Sequence, residues 1–151
     1  MNALFLKLID VKRKKMDENI DYTDLQAAKD FFITDRFAMV TTGIDILAVD
    51  KDYAKCSLNI DERHINATGH VMGGAIYTLA DFTFAVATNF RRSATVTMVS
   101  QISYLSSPKG KTLYSETRKI KDGRRNCFFE IMITDDLGTQ VALVNTSGAH
   151  L

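Results

Sequence analysis

The stretch from Asn66 to Phe90 reads NATGHVMGGAIYTLADFTFAVATNF, and it decides the fold. From Gly74 onward this stretch contains no proline and a single charged residue, Asp81. Its apolar residues fall on every face of a helix, a pattern typical of a buried helix. We therefore predict a central helix from Gly73 to Phe90 that the flanking segments wrap. Because an ionised carboxylate is costly to bury without partners, Asp81 requires an explanation of its own.

The composition is that of one globular domain with a substantial core. The chain has 151 residues, of which 46% are hydrophobic and 25% charged. A domain of this size buries about 70% of its unfolded surface, so no structural metal or disulfide is required. The formal net charge of +1 gives no global attraction to nucleic acid or to an anionic membrane surface. No apolar run approaches the roughly 20 residues of a membrane helix, so we predict no membrane partner.

The cysteines indicate a reducing compartment. Cys56 and Cys127 lie far apart and form no C-x-x-C motif. With only three histidines in the chain, no zinc ligand set is formed either. The sequence therefore predicts a cytoplasmic protein without a metal site.

Two helical patterns precede the strands. The first pattern predicts a short helix with one apolar face, formed by Leu4, Leu8 and Val11. A solvated arm is the alternative. The second covers one side of the core with Leu25, Ala28 and Phe32. Asp21 is its predicted N-cap, and it should end near Asp35. We predict an N-terminal helical segment over residues 1–40 and a single domain over residues 41–151.

Alternation of apolar and polar residues predicts six strands, two before the central helix and four after it. They cover residues 44–49, 54–60, 94–105, 112–120, 126–134 and 139–150. Turn residues separate them, among them Asp50 to Asp52, Asp122-Gly123 and Asp135 to Gly138. An α+β fold, with an antiparallel sheet curled around the central helix, is the most economical arrangement of these elements.

Several residues match a known family pattern. They are Asn66, Gly69, Gly73-Gly74, Leu79-Ala80-Asp81, Tyr104-Leu105-Ser106, the Gly123-Arg124 hairpin and a closing strand rich in alanine around Ala142. From Thr41 to His150 the chain resembles the hot-dog-fold acyl-CoA thioesterases of the phenylacetate-pathway (PaaI) type. The resemblance implies a homo-oligomeric hydrolase of acyl-CoA, with coenzyme A as part of the substrate and no further cofactor. The fold also serves dehydratases and sensors, but the N…G…GG…LAD spacing points to the thioesterase branch.

The chain departs from the family pattern at one position. The family has His-Gly-Gly, whereas here Met72 stands in the place of the histidine. The backbone amides at this position are unaffected, since any residue type supplies them. His70 is a candidate replacement for the missing imidazole, although His64 and His70 are both more typical of loop hydrogen bonding.

Thioester hydrolysis needs a donor for the developing oxyanion and a carboxylate that acts as base or nucleophile. Gly73 and Gly74 offer free amides at the positive end of the central helix, although glycines also suit a plain loop-to-helix transition. Asp81 is the candidate carboxylate, with a structural ion pair as its alternative. By the resemblance, Asn66 orients the carbonyl or the water, and Thr97 helps to position water. From the residues alone, Asn66 would form an Asx-turn and Thr97 would be an ordinary strand threonine.

The spacing of these residues predicts a shared site. At about 1.5 Å per residue, Asp81 lies about 12 Å beyond Gly73 along the helix. One chain therefore cannot bring both groups to one thioester. We predict a homodimer with two symmetry-related composite sites, and the sequence leaves open whether dimers pair into tetramers.

Substrate contacts are predicted for both ends of an acyl-CoA. Basic residues that suit the phosphates surround the Gly123 turn and follow the central helix: Lys119, Lys121, Arg124 and Arg125, and Arg91 and Arg92. A solvated cation is the alternative for each. Met72 and Gly74 would lie beside the thioester. Apolar residues that suit a medium-chain or aryl acyl group follow along the helix: Ile76, Tyr77, Leu79, Phe82 and Phe84.

Two rival functions fit less well. A non-catalytic acyl-CoA sensor needs a DNA-binding or signalling module, and residues 1–40 contain no helix-turn-helix pattern. A hot-dog dehydratase relies on a histidine near the start of the central helix, where this chain has Met72.

Overall fold

The computed structural model describes residues 20–151, in which six strands form one antiparallel sheet. The strands are β1 (Ile44–Asp50), β2 (Tyr53–Asn59), β3 (Thr95–Tyr104), β4 (Thr112–Asp122), β5 (Asn126–Asp135) and β6 (Gln140–His150). Their order across the sheet is β1-β2-β4-β5-β6-β3, so β1 and β3 are the edge strands. All six predicted strands are present, and the predicted α+β arrangement is confirmed.

A short helix and a π-helical turn lead into the sheet. Helix α1 (Leu25–Phe32) buries Ala28 and Phe32, as the periodicity predicted. Its N-cap is Asp24, whose Oδ1 accepts the Ala27 N–H at 3.0 Å. The prediction of Asp21 as cap was wrong, because Asp21 instead accepts the N–H and the hydroxyl of Thr23.

Helix α1 also ends earlier than Asp35, and the chain then forms a π-helical turn over Phe37–Thr42 that the sequence did not predict. Asp35 lies before this turn and accepts the Ala38 N–H at 3.2 Å. The helical pattern of Leu4, Leu8 and Val11 lies outside the described residues. The division at residue 40 stays a prediction.

Helix α2 (Gly73–Asn89) is the predicted central helix, and it contacts β1 to β5. Its most deeply buried side chains include Leu79 and Phe84, and the Phe84 ring meets Phe129 of β5 edge to face at 5.5 Å between centroids. Burying each such side chain contributes about 1.5–3 kcal/mol. Within residues 20–151, no helix has the length and apolar character needed to cross a membrane.

A β-bulge in the edge strand β3 determines which of its side chains face α2. Thr97 lies opposite Gly148, and Val99 lies opposite Ser147, so Met98 is an additional residue without a partner. Because successive side chains of a strand point to opposite faces, one extra residue inverts the alternation beyond it. Thr97 and Tyr104 lie seven positions apart, and a regular strand would send them to opposite faces. The bulge lets both contact α2.

Candidate active site

The loop that leads into α2 is held by the side chain of Asn66. Its Oδ1 accepts the Thr68 N–H at 2.9 Å, the Thr68 hydroxyl at 2.7 Å and the His70 N–H at 3.1 Å. This is the Asx-turn that the sequence offered as the alternative. Gly69, with φ of 80°, completes the turn. Within residues 20–151 the side-chain NH₂ of Asn66 has no acceptor, and it is therefore the part of this residue that can contact a ligand.

The two loop histidines differ in their availability. His64 is buried, its Nδ1 accepts the Asp61 N–H at 3.0 Å, and its Nε2 lies 2.8 Å from the Thr42 carbonyl oxygen. Since Nδ1 accepts, the proton is assigned to Nε2, and the ring is fully engaged in the fold. His70 is exposed, with Nδ1 3.0 Å from the Thr68 carbonyl oxygen. Of the two, only His70 presents a ring to solvent.

The start of α2 offers free backbone donors. Met72 precedes the helix and is 55% exposed, and its own N–H donates to the His64 carbonyl at 2.7 Å. Within residues 20–151, the amides of Gly73 and Gly74 have no hydrogen-bond acceptor, and no side chain caps this end. Two unsatisfied N–H groups at a helix N-terminus form a site for an anion or a developing oxyanion.

Tyr104 is the neighbour of this helix start that the sequence pattern named without giving it a role. Its hydroxyl donates to the Gly73 carbonyl at 2.9 Å. A Cβ on Gly73 would lie 2.8 Å from the Tyr104 oxygen, closer than real Cβ atoms approach. A Cβ on Gly74 would meet nothing closer than the Met72 Cε at 3.4 Å, an ordinary contact. A side chain at position 73 would therefore have to displace the Tyr104 ring, whereas one at position 74 would not.

Asp81 lies on a side of α2 that the sheet leaves open. In the single chain the residue is exposed, which differs from the buried environment expected of a wrapped helix. Partial burial nevertheless raises its pKa, the Thr97 hydroxyl opposes that shift, and the negative charge of Asp35 adds to it. The Thr97 hydroxyl lies 3.4 Å from Asp81 Oδ1, a long hydrogen bond. The carboxylate and the strand threonine predicted to act together are thus neighbours.

Most of the apolar helix residues predicted to line an acyl site belong to the core. Ile76, Leu79, Phe82 and Phe84 are each at most 4% exposed. Phe82 meets Phe32 of α1 edge to face at 5.5 Å between ring centroids. Among the predicted lining residues, only Tyr77 is partly exposed.

Exposed apolar side chains lie instead on the segment that follows α1, and no sequence pattern had indicated them. Ile33 is 59% exposed and Phe37 is 64% exposed, on either side of Asp35. The charge of Asp35, which lies between them in sequence, contributes to the raised pKa of Asp81, so this segment runs near that carboxyl.

The predicted phosphate-binding cations divide into two groups. Arg91 donates to the Asp21 carbonyl and pairs with Asp24 at 3.1 Å. Arg92 pairs with Asp52 and, at 2.6 Å, with Asp122. These two arginines therefore hold the fold together at the end of α2.

The second group surrounds the Gly123 turn between β4 and β5. Lys121, Arg124 and Arg125 are exposed, and within residues 20–151 none of them has an ion-pair partner. Lys119, by contrast, pairs with Asp52 at 2.5 Å. The turn presents three cations and an exposed Gly123 to solvent.

One cluster of the described residues has the side-chain types of a metal site. Ligand atoms of Asp122, Cys127 and His150 lie within 4.8 Å of one another. Asp122 already accepts from His150 Nε2 at 2.8 Å and from Arg92 at 2.6 Å. Burial raises the pKa of the Cys127 thiol, which keeps it protonated. A cation would have to displace these partners, so we assign the cluster to the hydrogen-bonded network of the fold.

Comparison with known proteins gives the class. The family model of the thioesterase superfamily matches residues 68–142, a span that contains Gly73, Asp81, Thr97 and Tyr104. The six-stranded sheet, the central helix and this match place the chain in the thioesterase superfamily with the hot-dog fold. This is a class of thioester hydrolases.

Within this class the chain is similar to the PaaI thioesterases. The acyl-coenzyme A thioesterase PaaI of Escherichia coli is 28% identical over 102 residues, which cover 67% of this chain and 73% of PaaI. The structure of E. coli PaaI superposes with a TM-score of 0.77 at 22% identity, covering 84% of this chain and 95% of PaaI.

Two further relatives extend the comparison. A putative esterase of Archaeoglobus fulgidus is 26% identical over 99 residues, covering 65% of this chain and 64% of the archaeal one, slightly less than two thirds of its length. A Streptococcus mutans protein solved with bound acetyl CoA has a TM-score of 0.68 and 26% identity, covering 72% of this chain and 88% of that one.

Proposed function

We propose that this protein hydrolyses acyl-CoA to a free acid and CoA. The observation that carries the proposal is the pair of contacts between β3 and α2. Tyr104 meets Gly73 beside two amides that have no acceptor within residues 20–151, and Thr97 meets the exposed carboxylate of Asp81. An oxyanion site and a carboxylate are the two groups that thioester hydrolysis requires.

The site is shared by two chains in this proposal. β3 is an edge strand with unpaired backbone groups, and Val96, Met98 and Val99 expose between 46% and 65% of their surface. Such an edge favours pairing with a second copy. In an antiparallel pair of β3 strands with its two-fold axis between Ser100 and Gln101, Thr97 of one chain lies opposite Tyr104 of the other. Asp81 of one chain then approaches the helix start of its partner, and two such sites arise by symmetry.

The reaction follows from these groups. The thioester oxygen accepts hydrogen bonds from Gly73 and Gly74, and the side-chain NH₂ of Asn66 helps to orient the carbonyl. If Asp81 is the base, it takes a proton from water while the water oxygen adds to the carbonyl carbon. The C–S bond then breaks, and Asp81 returns the proton to the CoA thiolate. If Asp81 is the nucleophile, its carboxylate oxygen adds to the carbonyl carbon, the C–S bond breaks and CoA leaves as a thiolate, which gives a mixed anhydride. Water then hydrolyses the anhydride, which regenerates the Asp81 carboxylate, releases the acid and supplies the proton that the thiolate takes up.

The ends of the substrate have separate partners in this proposal. The 3′-phosphate and pyrophosphate of CoA bind the exposed cations of the Gly123 turn: Lys121, Arg124 and Arg125. The acyl group lies beside Tyr77 and the exposed apolar side chains of Ile33 and Phe37. The S. mutans relative, solved with acetyl CoA, supports a CoA ester as substrate. The reaction calls for no cofactor, and the two free, buried cysteines are consistent with a cytoplasmic location.

The decisive experiment measures thiol release from a panel of short-chain, medium-chain and aryl acyl-CoA esters. We expect turnover by the wild type and a fall of about 10²- to 10⁴-fold in kcat for Asp81→Asn. Asp45→Asn, another exposed aspartate, is the matched control and should retain full activity.

Three results would contradict parts of the proposal. Binding of acyl-CoA without thiol release would indicate a sensor instead of an enzyme. Activity of Asp81→Asn within several-fold of wild type would remove the role of the carboxylate. A fully active monomer in light scattering would exclude the shared site.

A further inference from the structure

We propose that Tyr104 is a positioning residue for the reaction, acting on the oxyanion site through the peptide group between Gly73 and Gly74. The inference rests on the proposed function. Tyr104 donates to the Gly73 carbonyl at 2.9 Å. It is therefore a neighbour of the amides and need not touch the substrate to affect them.

The chemistry follows from the geometry of one peptide unit. The carbonyl of Gly73 and the N–H of Gly74 belong to the same planar, conjugated group. A hydrogen bond accepted by the carbonyl oxygen draws electron density away from the nitrogen, and the N–H becomes a stronger donor. Tyr104 thus polarises an amide that the proposed mechanism directs at the thioester oxygen, before the substrate arrives.

The same contact fixes the position of the amides. No side chain caps α2 at this end, so the first turn lacks the usual restraint. The Tyr104 ring lies so close that even one methyl group on Gly73 would collide with it. The start of α2 and the Tyr104 ring are therefore in close contact. Because this contact holds the Gly73 and Gly74 amides in place, they need no reorganisation during the reaction.

The Tyr104 hydroxyl remains a hydrogen-bond donor over the working pH range. Partial burial raises the pKa of the Tyr104 phenol, and the neighbouring Tyr77 adds to the rise. A raised pKa keeps the hydroxyl protonated at neutral and mildly alkaline pH, so the bond to Gly73 persists.

The placement of Tyr104 depends on the bulge at Met98. Thr97, before the bulge, contacts Asp81, and Tyr104, after it, contacts Gly73. One strand thereby supplies a hydroxyl to each of the two proposed catalytic groups. A regular strand would supply only one of them.

The test compares two tyrosine-to-phenylalanine variants. Tyr104→Phe removes the hydroxyl and keeps the ring. The matched control is Tyr53→Phe, which also removes a hydroxyl engaged in a hydrogen bond, here to Glu116 at 2.7 Å on the far side of the sheet. We expect kcat of Tyr104→Phe to fall about threefold to tenfold with KM nearly unchanged, and Tyr53→Phe to match the wild type.

A second readout does not depend on turnover. In ¹⁵N-labelled protein, loss of the bond to the Gly73 carbonyl should move the Gly74 amide resonance upfield in Tyr104→Phe and leave it in place in Tyr53→Phe. A structural role alone would lower thermal stability without this selective change in kcat.

The outcomes separate this inference from the proposed function. An active wild type with Tyr104→Phe equal to Tyr53→Phe in kcat, or with an unmoved Gly74 resonance, overturns the role of Tyr104 and leaves the hydrolase standing. A wild type that releases no thiol from any ester overturns the proposed function, and the catalytic role of Tyr104 with it.

Discussion

The two ends of helix α2 differ in whether their polar groups have partners. At the C-terminal end the Phe90 N–H donates to the Val86 carbonyl, Arg91 pairs with Asp24, and Arg92 lies between Asp52 and Asp122. At the N-terminal end, within residues 20–151, the amides of Gly73 and Gly74 have no acceptor and no cap.

The first N–H groups of a helix have no partner inside the helix, and here no side chain among residues 20–151 replaces one. The C-terminal end stabilises the fold. In the proposed function the N-terminal end binds the thioester oxygen, and this contrast predicts which variants lose activity and which lose stability.

The largest effect expected from this contrast tests the N-terminal end of α2 with a single methyl group. In Gly73→Ala the new Cβ collides with Tyr104, so either the ring or the helix start must move. Because a displacement of about 1 Å in a catalytic group costs about 10²-fold, we expect kcat to fall by about that factor. Steady-state kinetics on the best ester of the panel measures it.

The adjacent glycine supplies the control for this variant. In Gly74→Ala the new Cβ makes only an ordinary contact with Met72, so we expect kcat within a few-fold of wild type. Equal losses in the two variants would mean that the collision with Tyr104 is not the cause.

The next effect tests the C-terminal end of α2, where the charged side chains are paired. Asp52 is buried and pairs with both Arg92 and Lys119. Asp52→Asn keeps the shape and tolerates the positive φ at this position, but it removes the charge that both cations face. We expect a loss of about 2 kcal/mol in the free energy of unfolding, with kcat of the folded protein unchanged. Urea denaturation measures the loss.

An exposed ion pair provides the comparison for Asp52. Asp45 pairs with Lys29 at 2.7 Å, but its side chain is 53% exposed. Asp45→Asn should therefore change stability by less than about 1 kcal/mol. If Asp52→Asn were equally mild, the network at the end of α2 would not stabilise the fold as described.

The sequence predicted the elements of this fold because their signals are local. An all-apolar helix and six alternating strands are visible in the residues themselves, and all were found. The cap of α1 was misassigned because Asp21 and Asp24 both precede the helix, and only the structure shows that Asp24 accepts the Ala27 N–H while Asp21 accepts from Thr23. The π-helical turn had no local pattern that would have indicated it.

The site shows the same division. Gly73 and Asp81 stand out in a charge-poor helix, so the sequence singled them out. The contact of Tyr104 with Gly73 depends on the extra residue at Met98, which shifts a strand by one position and leaves its alternation pattern ambiguous. Arg91 and Arg124 look alike in sequence, and only the fold shows that Arg91 pairs with Asp24 whereas Arg124 is exposed on the Gly123 turn.

A smaller effect tests whether the exposed cations of the Gly123 turn bind phosphate. We expect Arg124→Gln with Arg125→Gln to raise KM for acyl-CoA about threefold to tenfold with kcat unchanged, and added salt to reduce the difference from wild type. Arg118→Gln is the control, since Arg118 is exposed but already pairs with Glu130 at 2.8 Å. An unchanged KM in the double variant would place the phosphates elsewhere.

The smallest effect concerns how the Thr97 hydroxyl shifts the pKa of Asp81 and thereby the pH dependence of activity. Partial burial raises the pKa of Asp81, and the Thr97 hydroxyl holds it down, so Thr97→Val should raise the pKa further. Only the ionised carboxylate acts as base or nucleophile, and activity is therefore lost as the pH falls through this pKa. The acidic limb of kcat/KM should move to higher pH, with a loss of about twofold to threefold on that limb and none at alkaline pH. Thr112→Val, which removes a hydroxyl bonded to Asn59 at 2.9 Å, should leave the profile unchanged. A uniform loss at all pH values would instead mean that Thr97 positions the water and does not tune the carboxylate.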